Sequence, residues 1–156
     1  MTPPARDRLL ATLRIDWAAY VDDFQSLPAA TRSAFLTQQG YARFGDLLAH
    51  VIAWWEAGTP AVERYLRDPG ARIASVDVDA FNARAVANTA ALDEELLVAA
   101  FEKMRLFLVE FVEELPDTAF EDERVVKQLN MDVAGHLDEH RLPASSHSSG
   151  GSGGDV

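Results

Sequence analysis

The chain has 156 residues, 48% of them hydrophobic, which is enough for one domain with a sizeable core. Its 14 basic and 25 acidic side chains give a formal net charge of −11, which argues against nucleic acid or an anionic membrane surface as a partner. The absence of cysteine excludes disulfides, thiolate ligands and a cysteine nucleophile. Neither a signal peptide nor an apolar stretch of about 20 residues is found, so we expect a soluble cytoplasmic protein.

The first predicted helix begins after Pro3-Pro4 and ends at Pro28. Its apolar residues recur at alternating steps of three and four, which is the spacing of one helix face. The following segment, 29–42, is rich in Thr, Ser and Gln, so we predict an irregular connection with one helical turn near Phe35. The apolar face of the first helix comprises Leu10, Leu13, Trp17, Tyr20, Phe24 and Leu27.

The second predicted helix begins within residues 41–44 and carries a pair of tryptophans. We expect Trp55 at the surface or at an interface, with its neighbour facing inward. Pro60 either kinks this helix or separates it from a further helix through Leu66, and residues 68–70 (Asp-Pro-Gly) end it. The inward stripe is predicted to contain Leu47, His50, Val51 and Trp54.

The second half of the chain contains two further long helical patterns. Residues 71–78 are predicted as a loop, and a short helix opens at 79–84 with Asp77 or Asp79 as its N-cap. Residues 92–115 form the most periodic apolar segment and end at a proline. The spacing of Thr118 and Glu121 is that of a capping box, so the fourth helix is expected to start there and to cover about residues 124–142.

Four long amphipathic helices without any strand pattern predict an all-α fold, a four-helix bundle with a long crossover between helices 2 and 3. We assign residues 1–143 to this bundle. Residues 144–156 are rich in Ser and Gly, so they are predicted to be a disordered tail, which includes His147.

Two histidines in the fourth predicted helix, His136 and His140, are four residues apart. This spacing places both imidazoles on one helix face, where they can reach one metal ion. Zinc-like sites need three or four ligands, and His50 on the stripe of the second helix is the candidate third. We therefore predict a three-histidine metal site; the alternative is two core histidines and an exposed one. Leu137 excludes the HExxH pattern of zinc proteases.

Each histidine region has an acidic residue one turn earlier, Asp46 before His50 and Asp132 before His136. Either carboxylate could accept the second imidazole N–H, whereas Asp46 could instead be an acid favoured by the helix dipole. Asp132 and Glu139 are the candidates for a fourth ligand, which would indicate a closed, structural metal site. An apolar pocket beside the site is expected to be walled by Trp54, Trp17 and Tyr20.

Three motifs in this order resemble the DinB superfamily and, within it, the ClbS/DfsB-like four-helix bundles. They are residues 46–50 with the following Trp pair, residues 79–84 and residues 136–140. The resemblance implies a DinB-like four-helix bundle, often a homodimer, with a divalent ion that is commonly zinc or nickel. It also implies that this ion is held by one histidine of the second helix and two of the fourth, here His50, His136 and His140.

Two functions follow from this resemblance. The first is an enzyme, a thiol-dependent S-transferase or hydrolase acting on a small electrophile, in which the ion activates a thiol or water. Because the chain has no cysteine, a low-molecular-weight thiol would have to enter from solution. The second is a non-catalytic bundle that binds a small molecule or gives ClbS-like self-resistance, with a structural metal or none.

Overall fold

The computed structural model describes residues 1–144, which form six helices and contain no β-strand. The prediction of an all-α fold is confirmed for these residues. The predicted disordered tail lies outside the described residues from position 145 onward, as does His147. None of the helices in residues 1–144 is both long enough and apolar enough to cross a bilayer.

Four of the helices are long, and two of these contain a π-helical turn, at Thr12–Asp16 and Met131–Gly135. A 3-10 turn at Asp117–Glu121 precedes the last helix. In chain order the helices are α1 (Pro4–Ala11, Thr12–Asp16 and Trp17–Gln25), α2 (Ala29–Gln39), α3 (Phe44–Arg67), α4 (Val78–Asn88), α5 (Glu94–Glu114) and α6 (Glu123–Asn130, Met131–Gly135 and His136–Glu139).

The helix α2 corrects the prediction that residues 29–42 are an irregular connection. Pro28 precedes its first turn, where a missing N–H costs nothing. Gly40 follows the last turn with φ of 83°, a left-handed conformation that glycine adopts without strain. The N–H of Tyr41 then donates to the Leu36 carbonyl at 3.0 Å, as in a Schellman motif. The sequence did not predict this helix because Phe35 is its only buried residue, so the segment shows no periodic apolar stripe.

The helix α3 is continuous through Pro60. From the sequence, this proline could either kink the helix or separate it from a further helix. The prediction for the tryptophan pair was wrong: Trp55 is fully buried, whereas Trp54 is only half-buried. The reason is that α3 packs against both α5 and α6 and therefore buries two faces. The face that the prediction missed carries Leu48, Trp55, Thr59 and Val62, all of which are buried.

The last helix begins at Glu123, so the capping box predicted at residues 118–121 is a 3-10 turn instead. Its N-cap is Asp122, whose side chain accepts from the Arg124 N–H at 3.0 Å. The helix ends at Glu139, three residues earlier than predicted. Asp77 is the N-cap of α4, where two candidates had been left open.

The core lies where α1, α3, α5 and α6 pack together, and α4 covers one side of α3. The apolar face predicted for the first helix is confirmed, since its six residues are all buried, although the last of them, Leu27, follows the end of α1 at Gln25. Aromatic rings fill the centre: the Trp17 and Trp55 rings meet edge to face at 5.2 Å, and Trp55 stacks on Phe101 at 5.5 Å. Such pairs contribute about 0.5–1.5 kcal/mol beyond their burial. This packing fixes the relative positions of α3 and α6, on which the histidines lie.

Candidate metal centre

The three histidines singled out in the sequence meet between α3 and α6. The ring centroid of His50 lies 5.0 Å from that of His140 and 5.3 Å from that of His136, and the last two are 6.0 Å apart. All three side chains are buried, with exposed fractions of 4–8%. His136 is 86 residues after His50 and four residues before His140 in the sequence, so the fold brings together imidazoles from two distant segments.

The orientation of His50 is set by Asn82 on α4. The Asn82 side-chain oxygen lies 2.9 Å from Nδ1 of His50 and accepts from Nε1 of Trp54 at 2.8 Å. Because an indole N–H can only donate, it fixes which end of the amide faces the histidine. His50 must then carry its proton on Nδ1, and its Nε2 is left as an unprotonated lone pair.

The orientation of His136 is set by the π-helical turn that precedes it. Its Nδ1 donates to the backbone carbonyl of Asp132 at 2.9 Å, and the same carbonyl accepts from Nε1 of Trp55 at 2.7 Å. The next carbonyl, that of Val133, accepts from Nε1 of Trp17 at 3.0 Å. A π-turn shifts the backbone hydrogen-bond ladder, and here side chains bond to the carbonyls in it. His136 is thereby held as the Nδ1–H tautomer.

His140 is oriented in the same way by a residue of α2. Nδ1 of His140 lies 2.7 Å from the side-chain oxygen of Gln39, whose Nε2 donates to the Glu139 carbonyl at 3.2 Å. The second bond fixes the orientation of the Gln39 amide, so its oxygen must accept from His140. The Tyr20 hydroxyl donates to the His140 carbonyl at 2.6 Å and anchors the end of the helix.

Burial keeps the three rings neutral at pH 7. Burial and the neighbouring His136 together lower the pKa of His50 to about 4, against the opposing hydrogen bond to Asn82. Burial and the other two histidines lower the pKa of His140 to about 3, and burial also lowers the pKa of His136. Nε2 of His50 and Nε2 of His140 are buried without any hydrogen-bond partner. Buried polar atoms normally have a hydrogen-bond partner or a metal ion beside them, so the lack of one at these two nitrogens requires an explanation.

The donor set fits a divalent metal ion. An ion about 2.0–2.1 Å from three imidazole nitrogens would hold the ring centroids about 4.5–5.5 Å apart. Two of the three separations lie in that range, and the 6.0 Å between His136 and His140 is slightly longer. Consistent with that longer distance, no group of three His, Asp or Glu side chains within residues 1–144 already has the geometry of a metal site. The three imidazoles therefore lie close to the separations that a bound ion would impose, but do not match all of them.

The two acidic residues predicted beside the histidines have other partners. Asp46, in the first turn of α3, accepts from Nε of Arg43 at 2.8 Å, and the Nδ1 partner of His50 is Asn82 instead. Arg43 also donates to the Thr89 carbonyl at 2.9 Å. Asp46 therefore ties the start of α3 to the segment between α4 and α5. Of the two alternatives left open for this acid, the structure favours the acid of the first helical turn over the partner of the imidazole.

The Asp132 carboxylate lies one turn from the histidines and bonds with Nε2 of Gln128 at 3.0 Å. Only its backbone carbonyl contacts His136, so the predicted support comes from the main chain and not from the acid. Burial raises the pKa of Asp132 to about 7, against the opposing hydrogen bond from Gln128. Glu139, the other candidate for a fourth ligand, has an exposed side chain. Neither acid therefore closes the site.

The aromatic residues predicted to wall a pocket divide into two groups. Trp17 and Tyr20 are buried core residues that bond to carbonyls of α6, which corrects their assignment as pocket walls. Trp54 does line an open cleft, and its ring centroid is 6.1 Å from that of His136. The opposite side of the site is bounded by Tyr41, whose ring lies 5.7 Å from His50.

Four residues of the site were missed in the sequence: Gln39, Tyr41, Asn82 and Gln128. Asn82 falls within the motif at 79–84, but an amide by itself indicates no particular role. Gln39 and Tyr41 flank the unrecognised C-terminus of α2. No protein-family model, curated protein or solved structure matches this chain, so the chemistry of the site is inferred from its own residues.

Proposed function

We propose that the protein is a DinB-like four-helix bundle that binds a divalent ion, zinc or nickel, through Nε2 of His50, His136 and His140. The observation that supports this is the pair of buried Nε2 atoms without partners, each opposite a hydrogen-bonded Nδ1. Metal-ligating histidines commonly donate their other N–H to an oxygen in this way. The alternative of core histidines explains the burial but leaves both nitrogens unsatisfied.

The proposed activity is transfer of a small thiol to an electrophile, or hydrolysis of that electrophile. A divalent ion supplies Lewis acidity and lowers the pKa of a thiol or water. Asn82, Gln39 and the Asp132 carbonyl hold the three imidazoles as the Nδ1–H tautomer. Burial among the surrounding helices keeps the rings neutral and excludes bulk water. Because the chain has no cysteine, the thiol is a second substrate from solution.

Replacing His136 by Ala is expected to abolish metal retention. The change leaves two imidazoles, and two ligands rarely hold a divalent ion through purification. The measurement is elemental analysis of tag-free protein, for which we expect about one equivalent of metal in the original chain and close to none in His136→Ala. His147→Ala is the matched control, since it removes the one histidine outside the site. Equal metal content in His136→Ala and the original chain would contradict the proposal.

A second candidate function is a non-catalytic bundle whose metal only ties α3 to α6. The observation that favours it is the low exposure of the three histidines, 4–8%. Against it, the two acids that would complete a closed site are engaged elsewhere or exposed. The two functions differ in whether an external ligand can reach the ion.

A thermal-shift comparison distinguishes these candidates. For the enzyme, we expect cysteamine to raise the Tm of the metal-loaded protein by a few degrees, whereas ethanolamine, its hydroxyl counterpart, should not. The reason is that a ligand that binds only the folded state stabilises it in proportion to ln(1 + [L]/Kd). The control is the same titration on His136→Ala. Equal Tm values with both compounds would favour the structural metal.

The resemblance also implies a homodimer, and we extend the proposal to it and to the cytoplasmic location expected from the sequence. The exposed face of α5 carries Leu96, Leu106 and Phe107, with exposed fractions of 50–55%. Contiguous apolar patches on a surface commonly mark sites that bind another protein, so this face of α5 is the candidate interface. A second copy of the chain is the occupant that the resemblance favours.

A further inference from the structure

An open cleft of about 590 Å³ lies between the second half of α3 and the segment that follows this helix. Small-molecule sites typically have volumes of about 300–1,000 Å³. One wall is formed by α3 residues such as Ala57 and Ala61, and the facing wall includes Ile73, Val76 and Val78. The last three are 37%, 45% and 52% exposed, so they form an apolar wall that faces solvent and are not part of the core.

Two arginines, Arg64 and Arg67, line the same cleft. Arg64 and Arg67 form no salt bridge with Asp or Glu within residues 1–144, whereas six of the other ten arginines do. Arg64 uses one nitrogen to donate to the Arg72 carbonyl at 3.2 Å. Two exposed guanidinium groups three residues apart on one helix thus place positive charge beside the apolar cleft. The charge that complements it is an anion.

Trp54 lies between the cleft and the histidine site. Trp54 lines the cleft, its ring lies 6.1 Å from that of His136, and it shares Asn82 with His50. Gln128 of α6, which bonds to the Asp132 carboxylate, also lines it. A molecule in the cleft therefore has apolar walls along its length, arginines to bind a charge, and the indole that borders the imidazoles.

We infer that this cleft binds a small amphipathic carboxylate, with its apolar chain along α3 and its carboxylate on Arg64 and Arg67. Guanidinium groups bind carboxylates through paired hydrogen bonds, and the apolar walls gain from covering a hydrocarbon chain. That this molecule is the electrophilic substrate of the histidine site rests on the proposed function. The binding itself does not, because none of the three histidines lines the cleft.

The test is calorimetric titration with octanoate and with 1-octanol, which has the same chain length without a charge. We expect octanoate to bind about tenfold or more tightly, since hydrogen bonds to a charged group contribute about 1.5–3 kcal/mol. The double variant Arg64→Gln/Arg67→Gln should abolish this preference. Arg8→Gln/Lys103→Gln removes the same charge away from the cleft and should retain it. Ala57→Phe, which fills the cleft from an exposed helix position, should weaken both ligands.

Three results would overturn the inference: no octanoate binding, equal affinity for the two ligands, or an equal loss in Arg8→Gln/Lys103→Gln, which would indicate unspecific charge attraction. The titrations are run on metal-free protein and on His136→Ala as well as on metal-loaded protein. Octanoate binding in all three supports the cleft even if metal analysis contradicts the proposed function. Loss of binding in the original chain with normal metal content would refute the cleft alone.

Discussion

Lowering the pH from 7 to 5 is expected to destabilise the metal-free protein by about 2–3 kcal/mol. Burial holds the pKa of His50 at about 4 and that of His140 at about 3, and it also lowers the pKa of His136. In the unfolded chain these groups titrate near pH 6.5. As the pH falls below that value, the unfolded state takes up protons that the folded state refuses, so the equilibrium shifts towards unfolding.

Asp132 opposes this trend. Burial raises its pKa to about 7, so the folded state binds a proton between about pH 7 and pH 4 that the unfolded state does not. This group therefore stabilises the fold as the pH falls and offsets about one of the three histidines. Each histidine contributes about 1.4 kcal/mol per pH unit between the two pKa values, so the histidines outweigh the acid.

The measurement is urea unfolding at pH 7, 6 and 5 in the presence of a chelator. Asp132→Asn should steepen the loss of stability, because it removes the opposing proton uptake, whereas His50→Gln/His140→Gln should flatten it. Zinc or nickel should move the loss to lower pH, since the ion competes with protons for the same nitrogens. Stability that is constant or rises between pH 7 and 5 in Asp132→Asn, where the opposing group is removed, would show that the three imidazoles are not held neutral.

The convergence of the histidines could be predicted because it depends on helical periodicity. His136 and His140 are on one face by spacing alone, and His50 shares a stripe with buried apolar residues, so packing of α3 against α6 brings all three together. The same periodicity predicted the buried face of α1. These features are local, and each can be read from a window of about 11–18 residues.

The partners of the histidines could not be predicted, because they depend on contacts between distant segments. Asn82 is 32 residues from His50, and Gln39 is 101 residues from His140. Amide side chains have no characteristic pattern in a sequence, so only the packed structure identifies them. The π-turn before His136 is likewise invisible in the apolar spacing, although it supplies the carbonyl that orients this ring. The second buried face of α3 was missed because the periodicity of a helix does not show how many neighbours it packs against.

Replacing Gly58 by Ala is expected to destabilise the protein by about 2–4 kcal/mol, although the same change inside an exposed helix stabilises by about 1 kcal/mol. Gly58 is buried where α3 meets α6, and a Cβ there would overlap Oδ2 of Asp132 and lie 3.0 Å from its Cγ. The carboxyl group cannot simply turn away, because it is buried and bonded to Gln128. Overpacking and a broken buried hydrogen bond therefore outweigh the gain in helix propensity.

The matched control is Gly135→Ala, also within a helix, where the nearest atom to a new Cβ is the Asn130 carbonyl oxygen at 3.5 Å. This variant should be neutral or slightly stabilised in urea unfolding. Combining Gly58→Ala with Asp132→Ala should recover part of the loss, because the second change removes the overlapping atoms while retaining the backbone carbonyl that orients His136. Unchanged stability in Gly58→Ala, or a double variant no better than the sum of the two single changes, would mean that the helices can separate at this point.

The same contact sets the geometry of the proposed metal site. Gly58 lies eight residues after His50 on α3, and Asp132 lies one turn before His136 on α6. Helices can approach closely only where one of them lacks a side chain, so a Cβ at position 58 would push α6 outward just below the imidazoles. Gly58→Ala should therefore weaken metal binding as well as stability, whereas Gly135→Ala should leave the affinity unchanged. The measurement is a competition titration of both variants with a zinc chelator, run at a temperature far below the Tm of each variant. Nearly all chains are folded there, so a lower affinity reports a change in the site and not a loss of folded protein.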